Sequence, residues 1–225
     1  MLFRSYYPFH YLDYLTGLAK LNRLDEDAGI WFLRYVNGYK GGSFIKSAYQ
    51  RLGWIDLLRG DKESYHAYMF RIRHAGRALI DGDKQALAEA ESSRPPDVRL
   101  LRARLLFDGG YYKQAGDLLA IMTPDDFSDP KDKLEFIYRR ARIYHLKGQE
   151  PMAISTYRQV IDAGVAGPWY FAANSALNLG LIHEQKGDFS QAEYYFRKCL
   201  ALKYSEYKSS ISQKARAGLN RLDKK

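Results

Sequence analysis

Apolar residues recur along this chain at every third or fourth position, in stretches separated by short polar turns. That period is the signature of amphipathic helices. The clearest instance is LNLGLIHEQKGDFSQAEYYF, Leu177 to Phe196, which encodes a helix, a turn at Gly187 and a second helix. Gly180 lets the two backbones approach, Gly187 supplies the positive φ that ends the first helix, and Ala192 leaves room for the facing one. Phe196, four residues further on, is expected to fill the space between hairpins.

With the turn glycine as origin, the same frame returns at Gly148, with Tyr144 before it and Ala153 and Tyr157 after it. It returns at Gly110 with Ala115 and Leu119, and at Gly60 with Leu52 and Gly53. Tyr65 stands there in the place of the small alanine, so this repeat is expected to pack differently. At the N-terminus, YLDYLTGLAKLNRLDEDAGIWFLRYV carries two apolar helical periods around an acidic break, and its turn position is Leu24. It is the loosest copy.

Successive turn glycines are 50, 38 and 39 residues apart, against about 34 for a standard helix-turn-helix repeat. The surplus predicts an additional short helix over Asp83–Ser92, between Asp81-Gly82 and Pro95-Pro96. It also predicts loops at Thr123–Asp132 and Gly164–Pro168. The expected fold is therefore all-α: a right-handed α-solenoid of about five helical hairpins, one inserted helix, and a C-terminal capping helix from about Ser205 to Leu222. Residues 1–225 are read as a single repeat domain, with no strand signal and no low-complexity linker.

Composition agrees with this. Of the residues, 46% are hydrophobic and 19 are tyrosines, which suits helix pairs with half-exposed rings. No apolar run approaches the roughly 18 residues that cross a bilayer. The one cysteine, Cys199, excludes an internal disulfide and falls at a small core position of the repeat. The opening MLFRS lacks the apolar stretch of a signal peptide and equals the translation of a common sequencing-adapter tail. These five residues are expected to be foreign, and the chain to be the C-terminal part of a longer protein. The compartment, cytoplasmic or periplasmic, stays open.

The net charge of +9 invites a nucleic-acid reading, but its distribution argues against one. From Arg197 to Lys225 there are nine Lys or Arg and two acids, so the rest of the chain is nearly neutral. A capping helix with cations toward its C-terminus accounts for this, with polyanion binding through the same end as the alternative.

No catalytic or metal-binding constellation is found, and no cofactor motif. The five histidines, His10, His66, His74, His145 and His183, make no pair at three or four residues' spacing. His183 occupies the slot of Tyr144, which suggests packing or an interhelical hydrogen bond. YKGGSFIK, Tyr39 to Lys46, lacks phosphate-loop spacing. Its Gly41-Gly42 is expected to break one helix before Ser43 caps the next. DGDKQ at Asp81 to Gln85 fails as a calcium loop and is expected to be a turn.

What remains is the inner surface, lined by the first helix of each hairpin. Positions nine and six before the turn glycine hold Arg51 and Trp54, Leu101 and Arg104, Arg139 and Arg142, and Asn178 and Leu181. Earlier positions add Tyr138 and Asn174. Arg51, Trp54, Arg104, Tyr138, Arg139, Arg142, Asn174 and Asn178 form the candidate binding stripe. Its guanidinium, amide and aromatic groups suit carboxylates and extended peptide backbone.

The set Gly180, Gly187, Ala192, Phe196 and its copies resemble the tetratricopeptide repeat superfamily over about Tyr11 to Leu202. A narrower similarity runs through YLDYLTGLAKLNRLDEDA, YKGGSFIKSAYQRLGW and QKARAGLNRL. These segments resemble the tetratricopeptide repeat protein 39 and inclusion-clearance family and its bacterial relatives. The resemblance implies a non-enzymatic adaptor, associated in eukaryotic relatives with lipid droplets, mitochondria or protein inclusions. The superfamily's carboxylate clamp is matched in type by Arg139 and Asn178, whereas Leu101 stands where a polar clamp residue belongs. The expected function is a protein-interaction scaffold that holds an acidic or carboxylate-ended peptide or partner protein in its groove. Binding of a polyanion or glycan is the alternative, and nucleic acid is disfavoured.

Overall fold

A computed structural model describes residues 9–92 and 94–223. The reading of residues 1–5 as foreign lies outside the described residues. Within them the chain is all-α, a tetratricopeptide-like arrangement of twelve helices with one short 3₁₀ turn and no strand. It divides into two compact units, one ending at Tyr111 and one beginning at Tyr112.

The first unit holds α1 (His10–Asn22), α2 (Ala28–Gly38), α3 (Ile45–Leu58), α4 (Lys62–His74), α5 (Asp81–Ser92) and α6 (Val98–Asp108). Here α1 pairs with α2 and α3 with α4, while α5 packs on both α3 and α4. The expected inserted helix is therefore present, extended by two residues at its start. The second unit holds α7 (Tyr112–Ala120), the 3₁₀ turn Pro124–Asp126, α8 (Pro130–Leu146), α9 (Glu150–Gly164), α10 (Phe171–Gln185), α11 (Phe189–Ala201) and α12 (Lys208–Leu222). There α8 pairs with α9, α10 with α11, and α12 closes on α10 and α11. The division falls inside the third expected hairpin, whose first helix belongs to one unit and whose second belongs to the other.

Every hairpin turn is built the same way. Gly60, Gly110, Gly148 and Gly187 all have positive φ, and Leu24 adopts φ 64° in the equivalent place. The next residue's N–H then reaches back to the carbonyl four before the turn: Asp25 to Lys20, Asp61 to Asp56, Tyr111 to Leu106, Gln149 to Tyr144 and Asp188 to His183. This is the helix-ending bond that satisfies otherwise orphaned carbonyls. After Leu24 the frame runs one residue short. The buried Ala28 and Phe32 lie four and eight residues on, where other copies use five and nine.

Aromatic side chains fill the gaps left by small ones. Phe196 is fully buried between two helices, and a Cβ built on Gly180 or on Gly218 would lie 2.5 Å from its ring. Gly17 makes the same allowance for Phe32, at 3.0 Å. Gly53 does so for Met69 and Tyr65. Tyr65 does pack differently from the alanines it replaces. It is buried, and its hydroxyl donates to Glu89 Oε1 on α5 at 3.0 Å.

Two expectations are corrected. Ser43 does not cap α3, because Phe44, left-handed at φ 61°, stands between it and the helix in the N-cap position, and the Ser43 carbonyl accepts from the Tyr35 hydroxyl. Asp83 takes that role from α5, accepting from Phe44 N at 2.7 Å and Ser47 N at 2.9 Å. The segment Asp81 to Gln85 is thus the first turn of a helix rather than a loop. The capping helix begins at Lys208, behind Tyr207 at φ 54°.

The glycines separate two costs. At Gly187 an added Cβ would meet nothing within 4 Å, so only the backbone objects. Gly187→Ala should cost about 1 kcal/mol. Gly180 lies within α10 at an ordinary φ, so Gly180→Ala has no such backbone cost, but it must displace a buried ring and should cost about 3 kcal/mol, partly recovered in the double variant with Phe196→Leu. Equal denaturation midpoints for the two single variants would disprove this account.

Candidate functional site

The structure gathers the expected stripe residues into two clusters, one in each unit. In the first, the Trp54 ring lies under two guanidinium groups, with Arg51 Cζ 4.0 Å and Arg104 Cζ 5.0 Å from its centroid. Arg51 also donates to Gln50 Oε1 at 2.8 Å. Trp54 itself is buried, 2% exposed, so it supports this surface from beneath. Its indole N–H donates to Glu89 Oε1 at 2.8 Å, and Gln50 Nε2 donates to Glu89 Oε2 at 2.7 Å. With the Tyr65 hydroxyl, three donors converge on one carboxylate supplied by the inserted helix. Both the buried surroundings and this carboxylate raise the Tyr65 pKa, so the phenol stays a donor.

Glu89 is the residue that sequence reasoning missed. No local spacing links it to Gln50 or Trp54, which lie more than thirty residues earlier, so only the docking of α5 reveals it. Nearby, Lys46 is buried and donates its ammonium to the Ile72 carbonyl at the end of α4. Burial raises the Asp83 pKa, against the hydrogen bonds from Ser47 and Phe44 that favour its charged form.

In the second unit the stripe is a row across α8 and α10. Asn174 Nδ2 donates to the Tyr138 hydroxyl at 2.7 Å, joining the first helices of consecutive hairpins. Asn178 Nδ2 donates to the Asn174 carbonyl at 2.7 Å. Arg142 lies 6.0 Å from the Tyr138 ring centroid. Tyr138 is fully buried, packed against Tyr170 and Phe171. Arg142, Asn174 and Asn178 remain partly exposed.

Arg139 is different. Only 3% of it is exposed, and its Nε donates to Glu135 Oε1 at 2.8 Å, with Nη2 on the same oxygen. It is half of a buried ion pair one helical turn long. The spacing of Glu135 and Arg139 was visible in the sequence, and four residues is the distance at which such pairs meet. Leu101 and Leu181 complete the expected positions, the first buried and the second partly exposed.

Two of the histidines, His183 and His145, join helix to turn or helix to helix. His183 Nδ1 lies 3.2 Å from Asp188 Oδ2, and its ring stacks on Tyr195. His145 meets the Tyr157 ring edge-on, with Nδ1 3.4 Å from the hydroxyl. Burial, with Arg142 adding to it, lowers the His145 pKa against a smaller opposing effect of Glu150. Cys199 is buried, and that burial pushes its pKa up to about 12, which leaves the thiol protonated and unreactive at neutral pH. Among the described residues no three His, Cys, Asp or Glu are placed to hold a metal ion. No described helix is long and apolar enough to cross a membrane.

Paired helices joined by positive-φ turns of one repeated design define a helical-repeat protein. More narrowly, a family model for the tetratricopeptide repeat matches residues 134–205, which run from α8 through α11, and supports the tetratricopeptide repeat superfamily. No curated protein and no solved structure matches the chain. Tetratricopeptide repeats generally mediate protein–protein interaction and are typically non-enzymatic scaffolds.

Two outcomes test the chemistry of these clusters. Asp83→Ala strands two backbone N–H groups at the start of α3, and should cost about 2 to 4 kcal/mol of the first unit's stability, read as a lowered denaturation midpoint. For His145 the folded state disfavours the proton. Above its ordinary value of 6.5 both states are neutral and the contribution is constant. As pH falls below that value the unfolded chain takes up the proton first, and stability is lost down through the depressed folded pKa. His145→Gln should remove this part of the acid sensitivity, seen as a flatter midpoint-against-pH curve than the wild type between pH 7 and 5.

Proposed function

We propose that this protein is a non-enzymatic interaction scaffold that binds an acidic peptide, or one ending in a free carboxylate, along the first helices of its hairpins. The observation that carries the reading is the row formed by Arg142, Tyr138, Asn174 and Asn178 across α8 and α10. It lies within the segment matched by the tetratricopeptide model. Amides next to a guanidinium suit a peptide, because an amide can bond both backbone N–H and C=O while arginine pairs with a carboxylate.

In this reading the eight stripe residues divide by role. Arg142, Asn174 and Asn178 meet the peptide, while Tyr138 and Arg139 hold them in place. Arg51 and Arg104, resting on Trp54, give the first unit a comparable surface for a carboxylate or an aromatic side chain. The narrower resemblance to the tetratricopeptide repeat protein 39 and inclusion-clearance family agrees with an adaptor role.

The test is fluorescence anisotropy with a fluorescein-labelled peptide, Gly-Ser-Asp-Glu-Asp, with a free C-terminal carboxylate, and with its amidated twin. Arg142→Glu and Asn178→Ala should each weaken binding about tenfold, the loss expected from one good polar contact, without shifting the denaturation midpoint. Arg139→Glu serves as the contrast. It places two carboxylates in a buried site and should cost about 3 to 5 kcal/mol of stability. Unchanged affinity in both surface variants would sink the proposal.

A further inference from the structure

The second helix of the second hairpin carries an exposed face that the stripe does not use. Ala67, Phe70, Arg71 and His74 follow one another at helical spacing on the outer side of α4, opposite the buried Tyr65, Met69 and Ile72. Phe70 is 63% exposed, which is unusual for so large an apolar side chain in the middle of a helix. With Tyr49 of α3 and Ala75 it lines an open groove of about 530 Å³. That is the size of a site for one or two side chains.

The groove is one-sided in charge. Its lining contains Arg71 and His74 and no acid. Asp56 acts on Tyr68 electrostatically but does not line the groove. The rings around it are already organised. Tyr49 stacks on Tyr68 at 6.0 Å, the Arg71 guanidinium lies 5.9 Å from the Tyr68 ring, and Phe70 meets the His74 ring at 4.9 Å. Gly53 underlies this arrangement, because it lets α4 approach α3 with Tyr68 Cβ 3.3 Å from where a Cβ would be.

We infer that this groove is a second binding site, for an acidic peptide segment that carries an aromatic or large aliphatic side chain beside its carboxylates. The apolar side chain lies against Phe70 and Tyr49, and the carboxylates pair with Arg71 and hydrogen-bond to the His74 ring. A single-stranded nucleic acid fits less well, because it needs successive stacking rings along a cationic track, and one exposed Phe70 ring beside a single arginine offers no such path. Four of its five lining residues, Phe70, Arg71, His74 and Ala75, lie on α4 or just after it, and none belongs to the stripe.

The experiment is anisotropy with the full chain and a fluorescein-labelled peptide, Glu-Glu-Phe-Asp-Glu-Glu. Binding should weaken at least tenfold in Phe70→Ser and in Arg71→Glu, and equally when the peptide's Phe is changed to Ser. The same losses should appear in an Arg142→Glu background, in which binding by the stripe is removed and the groove alone is read. If Arg71→Glu fails to fold by circular dichroism, Arg71→Gln carries the charge test, and Phe70→Ala replaces Phe70→Ser on the same criterion. The inference is overturned if affinity survives the groove variants, if no binding is seen at millimolar protein, or if Arg142→Glu abolishes it, which would place the peptide on the stripe. It is also overturned if a labelled oligothymidylate binds and loses affinity in the same variants, which would make the groove a nucleic-acid site.

Discussion

Close approach between helices at a glycine, filled by an aromatic ring from the neighbouring helix, is the constraint on which the rest of this structure depends. Phe196 shows it most fully. Its ring is enclosed between Gly180 on α10 and Gly218 on α12, and an added methyl on either would overlap it. One side chain therefore ties a hairpin to the helix that closes it. Helices held this near keep a constant offset between first and second members of a pair, and that offset lets residues at fixed distances from the turn line up from one hairpin to the next. Asn174 can reach Tyr138 across two hairpins because of that regularity.

The first unit shows what happens when the pattern is interrupted. Tyr65 stands where a small alanine would admit the facing helix, and the space is instead organised around α5. Its Glu89 gathers Gln50, Trp54 and Tyr65, and its Asp83 completes the start of α3. A carboxylate taken wholly out of water, as Asp83 is, or partly, as Glu89 is, needs several donors to offset its lost hydration. The inserted helix meets that need in both places, and so it is an integral part of the unit. The Arg51 and Arg104 groups lie on the Trp54 ring, and Trp54 is oriented by Glu89. A surface expected from three stripe residues thus rests on a fourth that lies outside the repeat frame.

Legibility in the sequence followed the range of the interaction. The turn glycines, the inserted helix and the pairings of α8 with α9 and α10 with α11 were all readable, because each depends on residues a few positions apart. Leu24 was readable as a turn even without glycine. The stripe was only half readable. Spacing from the turn identifies which side of a helix a residue occupies, and it named Arg142, Asn174 and Asn178 on a partly exposed row. It could not tell that Trp54, Tyr138 and Arg139 are covered, since depth depends on what the next helix brings over them. Ser43 illustrates the same limit. A serine before a helix is a reasonable cap, yet a left-handed Phe44 and a distant Asp83 took the role.

The sequence alone therefore determined the helical period, the position of each turn and the all-α class, because these follow from local backbone preferences and from apolar spacing within a single hairpin. Tertiary structure decided which polar groups are buried and which face solvent, how the inserted helix is used, and where the division between units falls. Those outcomes depend on contacts between residues tens of positions apart, whose free energy exists only once the helices have packed.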